Sequence, residues 1–384
     1  MRPRKYPMTA RSPLSRKTPN ARSRAIGLGL GGMLKRLGTT VATLAAGGLS
    51  PGRGREAPAG PWPRQVAETA VKALWDTLSA AQRKEICFDW DYRDTQRGLL
   101  RSFVANHWQV TRPNIRSGFF ARKQQSLIHD IFKGLLSPEW YPRFLRQLKE
   151  DTFGHEWGEN QSIAIFGTPG GARFEFVFTS RHLTLRADGH TEGRVAFGGP
   201  ILYGHAPSFS EGERHPGNVF WPQAVQANKV YAMLDRRQRG RALVATRPAE
   251  DAIGFQGPAG TFAGIPVADL NADQTRELRR TLLCLVEPFR KEDRDRVEEC
   301  LRQQGGLERC SLAFYEDGSP GGSGLWDNWR LEGPAFVWYF RGTPHVHVWV
   351  HVASDPAVLP NARNGAFLHP EHDRLGALDV TFTR

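Results

Sequence analysis

The stretch from His345 to Val352 constrains the fold more than any other part of the chain. Its eight residues read His-Val-His-Val-Trp-Val-His-Val. Because successive side chains of a β-strand point to opposite faces, the four valines line one face, and three histidines and a tryptophan line the other. The stretch therefore predicts a strand whose valine face belongs to the core and whose opposite face carries the histidines.

The histidine face of this strand is a candidate metal site. His345 and His347 are two residues apart, so in a strand their ring nitrogens lie close enough to share one ion. Neutral imidazole is the commonest protein ligand for Zn, Cu, Fe and Ni. The alternative is a structural role, in which each histidine is hydrogen-bonded by its local surroundings.

Two further histidines extend this candidate site. His182 opens a second alternating segment, 182–186, whose two leucines face the core while the histidine faces away from it. His205 follows a glycine-rich stretch that we expect to form a loop close to the site. We therefore predict that His182, His345 and His347 bind a metal, Zn, Cu or Fe, with His205 as a fourth or nearby ligand. Three imidazoles that leave one position open are typical of a catalytic metal.

Three segments predict the starts of helices, because each places Ser, Asp or Asn three residues before Gln, which is a capping box. These pairs are Ser79 with Gln82, Asp235 with Gln238, and Asn271 with Gln274. Further helices are predicted over 121–135, 139–149 and 291–304. Strands follow the helices, at 163–166, 173–178, 182–186, 194–197, 311–315, 330–331, 335–340, 345–352 and 378–382.

Helices followed by β-hairpins, twice along the chain, predict an α+β fold in which helices pack on antiparallel β-hairpins. An old duplication that left two pseudo-equivalent halves is a further interpretation. In each half an Arg-x-Glu step opens a strand, Arg173 with Glu175 and Arg330 with Glu332. Both members of each step lie on one strand face, which favours buried ion pairs.

The positive charge of the chain is confined to its start. Residues 1–64 contain 13 Lys and Arg and one acid, whereas the other 320 residues contain 39 bases and 38 acids. A protein that neutralises phosphates needs a basic face on its folded part, so we expect no nucleic-acid partner. We expect no membrane span either, because no segment approaches the roughly 20 apolar residues that a spanning helix requires.

The division of charge predicts two regions, a basic leader over 1–64 and a single α+β domain over 65–384. The leader has a basic start, a weakly apolar middle and an Ala-Pro-Ala step at 57–59, which together favour a signal peptide. It is similar to a twin-arginine signal but lacks the consecutive arginine pair. We expect export to the periplasm or the exterior; a disordered cytoplasmic tail or an upstream false start codon are the alternatives.

The four cysteines predict neither a metal site nor a disulfide framework, because none forms a Cys-x-x-Cys pair. Cys300 and Cys310 are candidates for one bridge in an oxidising compartment. The simpler interpretation is four buried, small apolar residues.

The order of several motifs resembles the DUF3500 family, a domain of unknown function in secreted or periplasmic bacterial proteins. The motifs are Arg181-His182-Leu183, then Phe197-Gly198-Gly199-Pro200 leading to Gly204-His205, then Glu332–Phe336 leading to His345-Val346-His347. The resemblance covers about 68–355. Arg181 replaces the first histidine of the family's His-His-Leu step, and Pro344 replaces the asparagine of its Asn-His-x-His step. The resemblance implies export and supports the histidines without supplying an activity.

These observations predict an exported metal-binding protein and leave its class open. A metal-dependent enzyme, hydrolase or oxidoreductase, would use the open metal position to activate water or dioxygen. A non-catalytic module would instead bind a small molecule in an aromatic cleft formed by Trp326, Trp338 and Trp349, with the histidines as hydrogen-bond partners. In a purely structural protein, another layer would cover the histidine face.

Overall fold

The computed structural model describes residues 66–189, 193–207, 215, 217–317 and 324–368. All of them fall within one compact unit, Pro61–Arg384. The predicted leader and the predicted last strand at 378–382 lie outside the described residues. Helices and a large mixed sheet confirm the α+β class.

The described residues form eight α-helices. They are α1 Val66–Thr77, α2 Ala80–Ile86, α3 Arg122–Gly134, α4 Tyr141–Asp151, α5 Trp221–Met233, α6 Arg236–Ala242, α7 Ala272–Val286 and α8 Lys291–Gln303. All three predicted capping boxes are confirmed, at the starts of α2, α6 and α7. Helices α3, α4 and α8 lie within two residues of the predicted bounds. In the part of the chain that is described, no helix is long and apolar enough to cross a membrane.

The strands are β1 Cys87–Phe88, β2 Arg93–Asp94, β3 Gly98–Leu99, β4 Phe103–Trp108, β5 Ser162–Gly167, β6 Phe174–Ser180, β7 Leu183–Ala187, β8 Ile201–His205, β9 Leu243–Val244, β10 Ile265–Pro266, β11 Ser311–Tyr315, β12 Asn328–Gly333, β13 Phe336–Arg341, β14 Val346–Val352 and β15 Asn361–Phe367. The strand predicted at 194–197 is wrong. A short 3₁₀ turn begins at Ala196, and Phe197 has a φ of +61°, which no extended strand contains. The loop expected before His205 is instead strand β8.

One sheet of 11 strands organises the molecule, in the order β1-β5-β6-β7-β8-β14-β13-β12-β11-β10, with β9 also paired to β11. Neighbours are antiparallel except for two parallel pairs, β1 with β5 and β9 with β11. Strands β8 and β14 lie side by side in the middle of this order, and their register places His347 opposite Gly204. Strand β8, which ends the antiparallel run β5–β8, and strand β14, which ends the run β11–β14, therefore meet at the centre of the sheet.

Both faces of the sheet are buried at its centre. The valines of β14 belong to a core cluster that also contains buried side chains of the helices. On the opposite face, Trp349 packs with Leu202 and Tyr339. Val104 on β4 and Ile253 in the segment between β9 and β10 cover these side chains. The valine face is thus core as predicted, and the histidine-bearing face is also largely covered.

The same order of elements occurs twice along the chain. Two helices, a two-residue strand, two more helices and four antiparallel strands form the series α1-α2-β1-α3-α4-β5-β6-β7-β8. The series α5-α6-β9-α7-α8-β11-β12-β13-β14 follows the same order, with β10 inserted where the first series has β2, β3 and β4.

Candidate metal centre

Three of the four predicted ligand histidines come together at the middle of the sheet. His182 lies in the tight turn between β6 and β7, His345 immediately precedes β14, and His347 lies on it. One ligand nitrogen from each ring lies within 4.8 Å of the others. The ring centroid of His182 is 4.9 Å from that of His345 and 4.6 Å from that of His347. The Nε2 atoms of His345 and His347 are 2.9 Å apart.

The backbone around the histidines is specialised for this close approach. His182 has a φ of +52°, a conformation that non-glycine residues rarely adopt, and its N–H donates to the carbonyl of Asn106 at 2.8 Å. Gly204 lies opposite His347 on strand β8, which runs between β7 and β14. A Cβ at Gly204 would lie 2.3 Å from the Val346 carbonyl oxygen and 3.3 Å from side-chain carbons of His182 and His347. Only glycine leaves room for both imidazoles there.

A buried carboxylate orients His182. Asp151, the last residue of α4, places Oδ2 2.8 Å from Nδ1 of His182, and the amide of Gln147 donates to the same oxygen at 2.8 Å. The N–H of Ala206 donates to the other carboxylate oxygen at 2.7 Å. Burial raises the pKa of Asp151, while the nearby His205 and these hydrogen bonds act to lower it. The ring of His182 is therefore held at Nδ1, which leaves Nε2 for another partner.

A second carboxylate holds His347 in the same way. Glu250 Oε2 lies 2.8 Å from Nδ1 of His347 and accepts from the Trp349 indole N–H at 3.3 Å. Arg341, which also contacts Nδ1 of His347, forms an ion pair with Glu250 at 2.8 Å and donates to the His345 carbonyl at 2.7 Å. A carboxylate on the remote ring nitrogen is the arrangement that orients metal-binding histidines in proteins.

The electrostatics keep all three imidazoles neutral. Burial is the largest cause in each case, and the charge of Arg341 adds to it. The pKa of His345 is lowered to about 2, and those of His182 and His347 are lowered well below the usual value. His182 and His347 are almost completely buried, whereas His345 is only partly buried. Neutral imidazole is the form that binds metals.

These residues fit a transition-metal ion. Two imidazole nitrogens that bind one ion tetrahedrally at about 2.1 Å are roughly 3.4 Å apart. The His345 and His347 Nε2 atoms are 2.9 Å apart, a hydrogen-bonding separation from which they would have to open slightly to bind one ion. Imidazole-only ligation suits Zn, Cu and Fe. The arrangement of three histidines could therefore hold any of these ions.

His205 is not part of this group. It lies opposite Val346 in the pairing of β8 with β14, so its side chain points to the helical face of the sheet, away from that of His347. There its Nε2 contacts the carboxylate of Glu150 on α4. His351, the third histidine of the strand, stacks on Phe255 with ring centroids 4.0 Å apart.

Sequence reasoning missed the two carboxylates. Asp151 carried a usable signal, because it continues the buried stripe of α4 formed by Phe144 and Leu148 at helical spacing. An acid on such a stripe requires a buried partner. Glu250 carried no comparable signal, since it lies in a stretch without helical or strand periodicity.

Two other sequence predictions are corrected by the structure. Trp338 and Trp349 are fully buried and belong to core clusters on opposite faces of the sheet, so the predicted tryptophan cleft is wrong. Glu175 pairs with Arg186 on the neighbouring strand rather than with Arg173, because Arg186 projects from the same sheet face.

The buried ion pair predicted for the second half is confirmed, since Arg330 Nη2 lies 2.8 Å from Glu332 Oε1. The four cysteines are free thiols. Cys300 and Cys310 are buried, as the simpler interpretation predicted, and Cys87 and Cys284 are partly buried.

The three histidines lie within a region that a known family shares. The model of a family described as a protein of unknown function, DUF3500, matches residues 63–354. No curated protein and no solved structure matches the chain. The match spans well over half of the chain and includes the whole run of motifs from Arg181 to His347. The chain is therefore a member of the DUF3500 family.

Proposed function

We propose that the protein binds a single transition-metal ion through His182, His345 and His347 and uses it as a metal-dependent enzyme. The observation that carries this proposal is the convergence of three neutral imidazoles, with one ligand nitrogen from each within 4.8 Å of the others. Three unrelated histidines on a polar face would each find a separate partner.

The carboxylates beside the histidines support the proposal. Asp151 and Glu250 each lie 2.8 Å from the Nδ1 atom of one histidine. In the tautomer that donates from Nδ1 to the carboxylate, the Nε2 atoms of His182 and His347 are left for the ion. Partners of this kind raise the basicity of metal ligands and fix the orientation of the rings. Asp151 is fully buried, and 15% of the Glu250 side chain is exposed.

The ion would supply one of two chemistries. Three protein ligands leave a coordination position, and the partial exposure of His345 supports access to it from solvent. Zinc would act as a Lewis acid and activate water, which gives a hydrolase. Copper or iron would support an oxidoreductase.

The test is the metal content of the full chain, purified without a histidine tag and measured by elemental analysis. We expect close to one equivalent of Zn, Cu or Fe in the wild type and loss of that metal in the double variant His345→Ala/His347→Ala. His155→Ala is the matched control, because His155 is exposed and lies outside the group. Folded, metal-free wild-type protein that also fails to take up added Zn, Cu or Fe would overturn the proposal.

The competing proposal is a non-catalytic module that binds a small molecule or is purely structural. The covered histidine-bearing face favours it, since Trp349 and His351 are fully buried. The two proposals differ in one outcome: only the metal-dependent enzyme loses its bound metal and its activity together in the double histidine variant.

We propose that the protein is exported. The composition of residues 1–64, with 13 bases and one acid, and the Ala-Pro-Ala step support this. Cell fractionation of a tagged full chain tests it: we expect a shortened protein outside the cytoplasm, and a full-length cytoplasmic protein would contradict export.

We also propose that the two series of elements are pseudo-equivalent halves. Their shared order supports this, as do two glutamine pairs at matching places. Gln82 of the α2 cap donates to Gln124 of α3 at 2.9 Å, and Gln238 of the α6 cap donates to Gln274 of α7 at 3.0 Å. The metal centre takes His182 from the first series and His345 and His347 from the second, and the repeat does not reproduce it, because Ala335 stands in the β12–β13 turn where His182 stands in the β6–β7 turn.

A further inference from the structure

Three buried aromatic rings lead away from the histidines on the same face of the sheet. They belong to Trp349 on β14, Tyr339 on β13 and Tyr315 on β11. Tyr339 lies directly opposite Trp349 in the pairing of β13 with β14, a position at which the two Cβ atoms are about 5 Å apart. The ring centroids of Tyr339 and Tyr315 are 6.1 Å apart. The three rings therefore form a continuous series within one buried cluster.

The series begins beside the histidines. The Trp349 indole N–H donates to Oε2 of Glu250 at 3.3 Å, and the same oxygen lies 2.8 Å from Nδ1 of His347. One carboxylate thus separates the indole from a proposed metal ligand. Because a carboxylate within hydrogen-bond reach is placed to accept a proton, Trp349 can lose an electron and a proton at the same position.

The series ends at an open cavity. Tyr315 is part of the wall of this cavity, which has a volume of about 550 Å³ and lies between β11, β12 and the segment 244–263. Tyr339, in the middle of the series, is held in place because its hydroxyl donates to the Pro248 carbonyl at 3.0 Å. The rings therefore connect the proposed metal centre with a surface of the protein that a small molecule can reach.

The kind of aromatic ring differs between this cluster and the core on the helical face. All the aromatic residues that are buried in this cluster are Trp or Tyr. In the core cluster that contains the helices, most of the buried aromatic residues are Phe. Indole and phenol rings give up an electron far more readily than the phenyl ring of Phe. Packing alone requires neither indole nor phenol, so the rings beside the histidines favour a role in electron transfer.

We propose that Trp349, Tyr339 and Tyr315 supply electrons to the metal centre when a peroxide is reduced there, so that the oxidation moves from the centre to the cavity wall. This inference rests on the proposed function and commits it to copper or iron, because zinc has no redox chemistry.

The electrons and protons of this step balance. Hydrogen peroxide takes up two electrons and two protons, its O–O bond breaks, and two molecules of water form. One electron and one proton come from the Trp349 indole, and the proton leaves through Glu250. The other electron and proton come from the phenol of Tyr339 or Tyr315. The products are two water molecules, one neutral tryptophanyl radical and one neutral tyrosyl radical.

Freeze-quench electron paramagnetic resonance tests this path in the full chain, loaded with Cu or with Fe and mixed with hydrogen peroxide. We expect tryptophanyl and tyrosyl radical signals in the wild type and neither signal in the zinc-loaded protein. Tyr339→Phe keeps the shape of the ring but interrupts the series, so we expect loss of the tyrosyl signal and retention of the tryptophanyl signal. Trp349→Phe should lose both signals, because it removes the first ring.

Tyr203→Phe is the matched control, because Tyr203 is a buried tyrosine of β8 that belongs to the core cluster of the helical face. The metal content and the unfolding midpoint of every variant are measured beside the spectra, and Tyr339→Phe decides the path even where Trp349→Phe does not fold. A wild type that holds Cu or Fe but forms no tyrosyl radical, an unchanged tyrosyl signal in Tyr339→Phe, or an equal loss in Tyr203→Phe would each overturn the path and leave the metal proposal intact. Failure of the wild type to bind Cu or Fe would overturn the metal proposal for these ions and the path with it.

Discussion

At the scale of single residues, the candidate centre depends on groups that hold the histidines as much as on the histidines themselves. Asp151 and Glu250 fix two rings, and Gly204 leaves the space in which those rings meet. The histidines were found from strand alternation, since His345 and His347 share a face at a spacing of two. The carboxylates come from distant parts of the chain, so no local pattern links them to the histidines.

The first prediction concerns Asp151. Replacing it with Asn keeps the shape but removes the charge that orients His182, so we expect metal affinity to fall about 10- to 100-fold. A competition titration with a chromogenic chelator measures the affinity. Glu150→Gln is the matched control, because the adjacent Glu150 contacts His205 outside the group. Equal losses in the two variants would show that Asp151 has no special role.

The second prediction concerns Gly204. Ala at this position brings Cβ within 2.3 Å of the Val346 carbonyl oxygen, so we expect the free energy of unfolding to fall by about 1–3 kcal/mol. Metal binding should weaken as well, since His182 and His347 must move. Chemical denaturation measures the first effect, and Gly240→Ala, a helical position with open space, is the control. A Gly204→Ala protein as stable as the wild type would contradict the packing described here.

The third prediction concerns pH. Burial lowers the pKa of His351 to about 4, below the ordinary value of 6.5. The folded state therefore favours the neutral ring, and the stability that His351 contributes is complete above about pH 6.5 and lost as the pH falls toward 4. We expect the wild type to lose roughly 2–3 kcal/mol more than His351→Gln over this interval. Urea unfolding at several pH values measures the difference, with the exposed His155→Gln as control; parallel pH profiles for wild type and His351→Gln would contradict it.

At the scale of elements, helix starts were predictable and coverage of the sheet was not. The capping boxes at Ser79, Asp235 and Asn271 identified three helices because capping is local chemistry between residues three apart. Strand β15 was missed because it lies in a Pro- and Asn-rich tail and is specified by its parallel pairing with β4, about 260 residues earlier. Such long-range pairing leaves no periodic signal in either segment.

The fourth prediction tests the glutamines of these caps. Gln82 and Gln238 each close a capping box and also donate to a glutamine of the next long helix. We expect Gln82→Ala and Gln238→Ala to lower the free energy of unfolding by similar amounts, about 1–2 kcal/mol each. Thermal and urea unfolding measure the losses, with the exposed Gln303→Ala as control. A large loss in one variant and none in the other would argue against equivalent roles in the two halves.

At the scale of the whole molecule, two series of helices and strands meet at β8 and β14, and the histidines lie at that meeting. The α+β class followed from the alternation of helical and strand patterns. The strand face of His347 was predicted correctly, whereas His182 lies in the turn before β7 and His345 immediately before β14. His205 was predicted as a fourth or nearby ligand from a stretch read as a loop. The pairing of β8 with β14 directs its side chain away from that of His347, because the face of a residue is defined only once its strand and register are known.

X-ray absorption at the edge of the bound metal tests the central claim most directly, because it reports the ligands of the ion itself. The account predicts about three imidazole nitrogens at roughly 2.0–2.1 Å in the full-length wild-type protein. It also predicts loss of this imidazole signature in His345→Ala/His347→Ala and its retention in His205→Gln. A spectrum dominated by carboxylate or water oxygens, or one unchanged in the double histidine variant, would contradict a metal centre at His182, His345 and His347.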